Sequence, residues 1–193
     1  ADHPPARSGG VGVLIVNLGT PDGADAKSVK RYLGEFLSDR RVVEIPAIAW
    51  QPILRGIILN TRPAKSAHAY AQVWTKDGSP LAAITRQQAE ALQDRLGDPE
   101  QGAVKVDWAM RYGRPAIADK VQALKDAGFD RILFAPLYPQ YSGATTATAV
   151  DALGAALAKM RWQPAIRTLP PYHDDQAYIA ALQADIARQA SAL

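Results

Sequence analysis

The 193-residue chain is 48% hydrophobic and 21% charged, with 14 Gly and 14 Pro. That composition excludes disorder, collagen-like repeats and coiled coil as its main organisation. Its net charge of +3 comes from 22 basic and 19 acidic residues that are scattered rather than striped, so no nucleic-acid partner is expected. No cysteine is present, which excludes disulfides, thiolate zinc sites and cysteine-ligated clusters built from these residues and agrees with a reducing compartment.

Residues Ala1 to Gly10 are polar and rich in Pro and Gly, without the basic-then-apolar pattern of a signal peptide. They read as a disordered lead-in, and residues 11–193 as one α/β domain. No stretch approaches the roughly 18 consecutive apolar residues of a membrane span, so the sequence predicts a soluble, cytoplasmic protein.

The elements follow in order. Val11 to Val16 is a short apolar run of the kind a strand buried on both faces shows, and Asn17 to Gly23 reads as the loop after it. Val29, Tyr32, Leu33, Phe36 and Leu37 recur at helical spacing, with Asp25 available near the start. A second helical stretch over 47–59 sets Trp50, Ile53, Leu54, Ile57 and Ile58 on one face, ordinarily a core-facing one, with Pro52 either tolerated near its start or delaying it. Helices are expected over 64–74 and from 81 to Leu96, separated by Gly78-Ser79-Pro80 and closed by Gly97-Asp98-Pro99. Then come a strand over 103–109, a helix between Pro115 and Gly128, and a strand over 131–135. A loop from Pro136 to Gly143, a small-residue helix over 146–159, a strand over 164–168 and a helix from Asp174 toward Leu193 complete the chain. The alternation implies a four-stranded parallel sheet with helices on both faces, a Rossmann-like three-layer domain with extra helices inserted after the first strand.

Ligands of open parallel sheets sit beyond the carboxyl ends of the strands. Three loops expected there carry unusual residues: Asn17 to Gly23, Met110 to Gly113 and Pro136 to Ser142. Gly19 and Gly23 do not form a G-x-G-x-x-G fingerprint and no phosphate-binding G-x-x-x-x-G-K-[ST] occurs, which disfavours a nucleotide site. No two of His3, His68 and His173 lie four apart, and His173-Asp174-Asp175 reads better as a helix cap than as a metal site. Ser79 before Pro80 is not in a nucleophile elbow and reads as a turn residue. Arg111 after a strand can reach an anionic group while Tyr112 offers a flat face, or the pair is simply an exposed Arg beside a packed Tyr. Tyr138 and Tyr141 either line a wall for a planar ligand or pack their own loop. The residues alone give a flat-walled pocket with arginines at hand and no named substrate.

At these same loops the sequence resembles the ferrochelatases. The matching stretches are Val16 to Pro21, Phe36-Leu37-Ser38-Asp39-Arg40-Arg41-Val42, and Tyr70 to Trp74 with Gly78-Ser79-Pro80-Leu81. Met110-Arg111-Tyr112-Gly113 and Pro136 to Ser142 complete the set, which covers nearly all of the chain beyond the lead-in. The resemblance implies insertion of ferrous iron into a porphyrin in haem biosynthesis, by two similar α/β domains with the porphyrin cleft between them. This chain looks like the first of those domains plus the start of the connection. The resemblance further implies that Leu18 faces the macrocycle near the metal, that Arg62 and Ser79 lie near the propionates, and that Arg111, Tyr112 and Tyr138 line the inner pocket. Ser142 would close the Tyr138 loop, and the 47–59 helix would form an apolar lip that faces porphyrin or membrane.

The family's His-Gly-x-Pro histidine and its partner glutamate, which handle metal and pyrrole protons, have no counterpart in this sequence. Arginine and tyrosine are poor bases, since Arg stays protonated and Tyr has a reference pKa of about 10. A binding wall with little activity of its own is therefore expected. Some relatives ligate an iron–sulfur cluster partly through a cysteine after the Ser142 position; Gly143 stands there, so no such cluster, and no other cofactor, is expected. Iron enters as substrate. The expected partners are the porphyrin and a second domain or a second copy, with membrane contact through 47–59 as the peripheral alternative. Competing readings are a stand-alone tetrapyrrole-binding carrier, and half of a related cobalt or nickel chelatase.

Overall fold

The computed structural model describes residues 9–97 and 104–191. Most of the expected lead-in lies outside these residues, but Gly9 is tied down: its amide donates to Asp130 Oδ2 at 2.9 Å. Asp98, Pro99 and the first residue of the strand expected at 103 also lie outside the described residues.

Four strands form one parallel sheet in the order β2-β1-β3-β4. They are β1 (Val11–Gly19), β2 (Val104–Tyr112), β3 (Arg131–Pro136) and β4 (Ala165–Thr168). Between β1 and β2 come α1 (Ala26–Leu37), α2 (Ala47–Ile53), α3 (Leu59–Val73) and α4 (Pro80–Leu96); α5 (Ile117–Asp126), α6 (Thr148–Leu157) and α7 (Gln176–Ala190) follow β2, β3 and β4. The expected fold class is the one observed.

Alternation along the strands explains the two-sided core, because successive side chains point to opposite faces. Leu14 and Val16 of β1, Ala109 of β2 and Phe134 of β3 meet Ile117 and Val121 of α5 and Ala149 and Leu153 of α6. Val13 and Ile15 point the other way, with Val106 and Ala135, toward Ala89 of α4. Each such large side chain contributes roughly 1.5–3 kcal/mol of burial free energy, so both helical layers are held to the sheet mainly by this packing.

Two boundaries differ from expectation in a way that moves the site. β1 runs through Gly19 and β2 through Tyr112, so Asn17 to Gly19 and Met110 to Tyr112 are strand rather than loop. Gly19 makes this possible: its φ is +119°, and a Cβ there would overlap the Tyr112 carbonyl. The helices expected over 47–59 and 64–74 are one continuous helical run. Pro52, inside α2, does not delay it; a widened π turn over Leu54–Ile58 follows, in which the Leu59 amide reaches back to the Leu54 carbonyl. A second π turn, Gly143–Ala147, opens α6, with the Ala147 amide donating to the Ser142 carbonyl at 3.2 Å. Asp175, not Asp174, caps α7, accepting from the Ala177 and Tyr178 amides at 2.9 and 3.2 Å.

The outer edge of β2 is closed by its own chain. The Val106 amide donates to Gln93 Oε1 at 2.7 Å, the Trp108 amide to Asp107 Oδ1 at 2.8 Å, and the Met110 amide to the Pro115 carbonyl at 2.7 Å. No comparable side-chain bond covers the outer edge of β4 among the described residues.

Candidate functional site

The sheet register brings three of the expected residues to one level. β1 pairs with β2 through Asn17↔Met110 and Gly19↔Tyr112, which sets Leu18 beside Arg111. β1 pairs with β3 through Val16↔Pro136, and the Leu137 amide still donates to the Val16 carbonyl at 2.8 Å. Tyr138 follows two residues beyond Pro136, the last paired residue of β3. The tips of three adjacent strands thus carry an apolar side chain, a guanidinium and a phenol, with Leu18 and Tyr138 partly buried.

Arg111 is not an open cation. Its Nη2 donates to Asp39 Oδ2 at 2.6 Å and its Nε to Thr148 Oγ1 at 2.6 Å, and its Cζ lies 4.2 Å from the centroid of the Tyr112 ring. The same Asp39 oxygen accepts from the Tyr112 hydroxyl at 2.8 Å and from the Thr148 hydroxyl, while Oδ1 accepts the Arg41 amide at 2.8 Å. Burial pushes the Asp39 carboxyl up, but the bonds from Thr148, the Arg41 amide and Tyr112, with the Arg111 charge, outweigh it and hold it below the ordinary carboxylate range. Desolvation, the largest influence on Tyr112, pushes its phenol up to about 12.

Tyr112 itself is fully buried, with Phe36 edge-on to its ring at 5.1 Å between centroids. It therefore presents its hydroxyl to Asp39 and Thr148 rather than a flat face to a pocket, which corrects the expectation drawn for it. Its strand alternation and the buried run around it carried that signal. Tyr138 differs: its hydroxyl is buried with no hydrogen-bond partner. Desolvation, its largest influence, pushes that phenol well up.

The remaining expected residues lie apart from this cluster. Arg62 is exposed on α3 and makes no hydrogen bond or ion pair with a described residue. Ser79 is buried at the N-terminus of α4, where its carbonyl accepts the Ala83 amide at 3.0 Å. Ser142 is exposed and caps the second π turn, accepting the Ala144 amide at 3.2 Å. Tyr141 is 63% exposed and does not pack its own loop. Asp39 and Thr148 were missed as site residues by the sequence reading. Asp39 stands directly before Arg40 and Arg41 in the Phe36 to Val42 stretch, while nothing in the sequence marked Thr148.

Beside the tips, a cavity of about 270 Å³ is lined by Thr20, Arg31, Tyr32, Glu35, Gly113 and Arg114. Glu35 accepts the Gly113 amide at 3.0 Å, and the Thr20 hydroxyl is buried without a partner. Along α2 and the π turn, Ile48 (88%), Ile53 (42%) and Ile57 (58%) form an exposed apolar ledge, while Leu54 and not the whole stripe is buried. His68 and His173 are exposed on separate elements. Among the described residues no three His, Cys, Asp or Glu side chains are grouped to hold a metal ion. The tips therefore offer donors and a saturated carboxylate, an arrangement that orients a ligand and is poor at accepting a proton.

A parallel-sheet α/β domain with its site at the strand tips is thus defined, and comparison with known proteins gives it a family. The profile described as Ferrochelatase matches residues 10–193, and the chain belongs to the ferrochelatase family. It is similar to the ferrochelatase of Rhizobium johnstonii, 56% identical over 195 residues that cover 100% of this chain and 56% of that protein. It is also similar to those of Rhizobium meliloti (55% over 194 residues, 100% and 57%) and Agrobacterium fabrum (53% over 188 residues, 96% and 54%). The chain spans little more than half the length of these relatives.

Proposed function

We propose that this chain supplies one wall of a porphyrin-binding cleft in an enzyme that inserts ferrous iron into a porphyrin. The observation carrying this reading is the alignment of Leu18, Arg111 and Tyr138 on three adjacent strand tips. Leu18 meets the ring face, Tyr138 places an unpartnered phenol over it, and the Arg111 guanidinium, fixed by Asp39 and Thr148, holds a constant donor at its edge. A rigid first wall of this kind favours one ring geometry over another, and differential binding of the bent ring is what accelerates insertion. Arg62 and the exposed α3 surface around it take the acidic side chains, and Ser79 and Ser142 shape the ends of the wall.

Removal of two pyrrole protons needs a base within about 3 Å, and Asp39, the carboxylate paired with Arg111, already accepts four hydrogen bonds. That saturation supports a binding role for these residues, with proton transfer handled by groups from the remaining length of the relatives or from a partner. It also favours, as second reading, a tetrapyrrole carrier that performs no insertion.

The exposed ledge over Ile48, Ile53 and Ile57 is the surface for a porphyrin edge, a second copy or a membrane face. No helix among the described residues is long and apolar enough to cross a membrane. A cytoplasmic location with at most peripheral membrane contact is part of this proposal. Iron is substrate, and the reading requires no resident cofactor.

Soret-band titration tests the proposal. Stoichiometric binding at micromolar porphyrin that weakens at least tenfold in Leu18→Asp supports it, and an unchanged Soret band up to about 50 µM overturns it.

A further inference from the structure

We propose that Asp39 is a positioning residue that removes Arg111 from carboxylate recognition and fixes its guanidinium as a neutralised donor at the strand tips. The inference rests on the tetrapyrrole reading above.

An arginine at the mouth of a site for an acidic ring would ordinarily be read as a clamp for the ring's carboxylates, since its fork matches a carboxylate in two parallel bonds. Arg111 is not free to do this. Its side chain is 17% exposed and that of Asp39 12%, and the Nε–Nη2 edge of its guanidinium is used, Nη2 by Asp39 and Nε by Thr148, which leaves Nη1 as the remaining donor. A ligand carboxylate pairing in two bonds along that edge would have to expel Asp39, and one that leaves Asp39 in place meets a guanidinium whose charge is already paired. The expelled group could not swing out alone, because its other oxygen holds the Arg41 amide, and the Arg41 side chain is in turn paired with Asp151, with Nη2 to Oδ1 at 3.0 Å. Expulsion would also leave the Tyr112 hydroxyl, on a fully buried residue, without its carboxylate partner. The loop after α1 is therefore a strap with two anchors, and Asp39 is the anchor that sets the charge of the site.

Neutralising one cation selects among ligands. A free Arg111 would favour porphyrins with more carboxylates, whereas a paired one is indifferent to their number and leaves that discrimination to Arg62.

The test uses the 193-residue chain and two porphyrins, one with two and one with four carboxylates, titrated by Soret shift at 0.05 and 0.5 M salt. Asp39→Asn is expected to raise the tetracarboxylate-to-dicarboxylate affinity ratio about tenfold at low salt, with the gain lost at high salt. Arg111→Gln in the otherwise unchanged chain is expected to weaken both porphyrins by the same factor. A ratio that stays within twofold in Asp39→Asn, or a selective loss of tetracarboxylate binding in Arg111→Gln, overturns the inference while leaving the binding site itself intact. If circular dichroism shows Asp39→Asn unfolded, Thr148→Val loosens the same pair with little change of shape. It is expected to move the ratio threefold in the same direction, and no movement overturns the inference. An unchanged chain with no Soret shift overturns the functional reading and this inference together.

Discussion

Gly19 lies directly against the backbone of Tyr112 on the neighbouring strand, at φ +119°, with no room for a Cβ. The pairing of β1 and β2 out to the site depends on that missing atom. Gly19→Ala is expected to destabilise the chain by roughly 3 kcal/mol or more, from positive-φ strain and overlap with backbone that cannot give way. Gly143→Ala, where a Cβ meets nothing within 4 Å, is the matched control and should shift stability by less than about 1 kcal/mol. Urea unfolding of both variants checks the contrast; equal midpoints would mean the strands separate before Gly19.

Asp39 gives the fold a defined acid sensitivity. Its folded-state pKa lies below the unfolded value, so its contribution is complete above the unfolded pKa of about 3.9 and is lost as pH falls through the folded value. Asp39→Ala should cost about 3 kcal/mol near pH 7, because it strands a guanidinium and two hydroxyls. The gap between parent and variant should close below about pH 4. Denaturation curves at pH 7, 5 and 3 measure it, and a gap undiminished at pH 3 contradicts the assignment.

The unpartnered hydroxyl of Tyr138 predicts an opposite sign. A buried hydroxyl without a bond is destabilising, so Tyr138→Phe should raise the stability of the ligand-free chain by roughly 1 kcal/mol. The same change should weaken porphyrin binding if the ring supplies or bridges the missing partner. A thermal melt with and without porphyrin separates the two effects; a destabilised free chain would show that the hydroxyl is already satisfied.

Insertion itself should be nearly absent. With the Asp39 carboxylate already accepting four hydrogen bonds, the 193-residue chain is expected to form zinc porphyrin no faster than a protein-free blank with the same metal and porphyrin. Turnover comparable to an intact relative would mean that a base has been overlooked in these residues.

The strands and their order of helices were legible because the apolar runs at Val11 to Val16 and 131–135 need burial on both faces. Where the reading failed, long-range pairing decided. Asn17 and Gly19 look like loop residues locally, yet β2 runs alongside them and extends the strand. Pro52 could delay a helix, but it stands inside α2 and the helical run continues through the π turn after it. At the site, motif order placed Leu18, Arg111 and Tyr138 together; the register sets Leu18 and Arg111 on paired strands, and Tyr138 follows two residues after the last paired residue of β3. The partners of Arg111 were hidden because Asp39 and Thr148 lie 72 and 37 residues away from it, distances that no local pattern encodes. Of the two readings open for the pair, the structure has the packed Tyr112, and Arg111 beside it is only 17% exposed.

The covered rim of β2 has a consequence for assembly. Gln93, Asp107 and Pro115 occupy the hydrogen-bonding groups through which another strand would join, so ribbon growth from that flank is shut off. Among the described residues, β4 is the edge left for two copies to add sheet to sheet. A contact of like with like about a twofold axis then terminates at a pair and never propagates into a fibre.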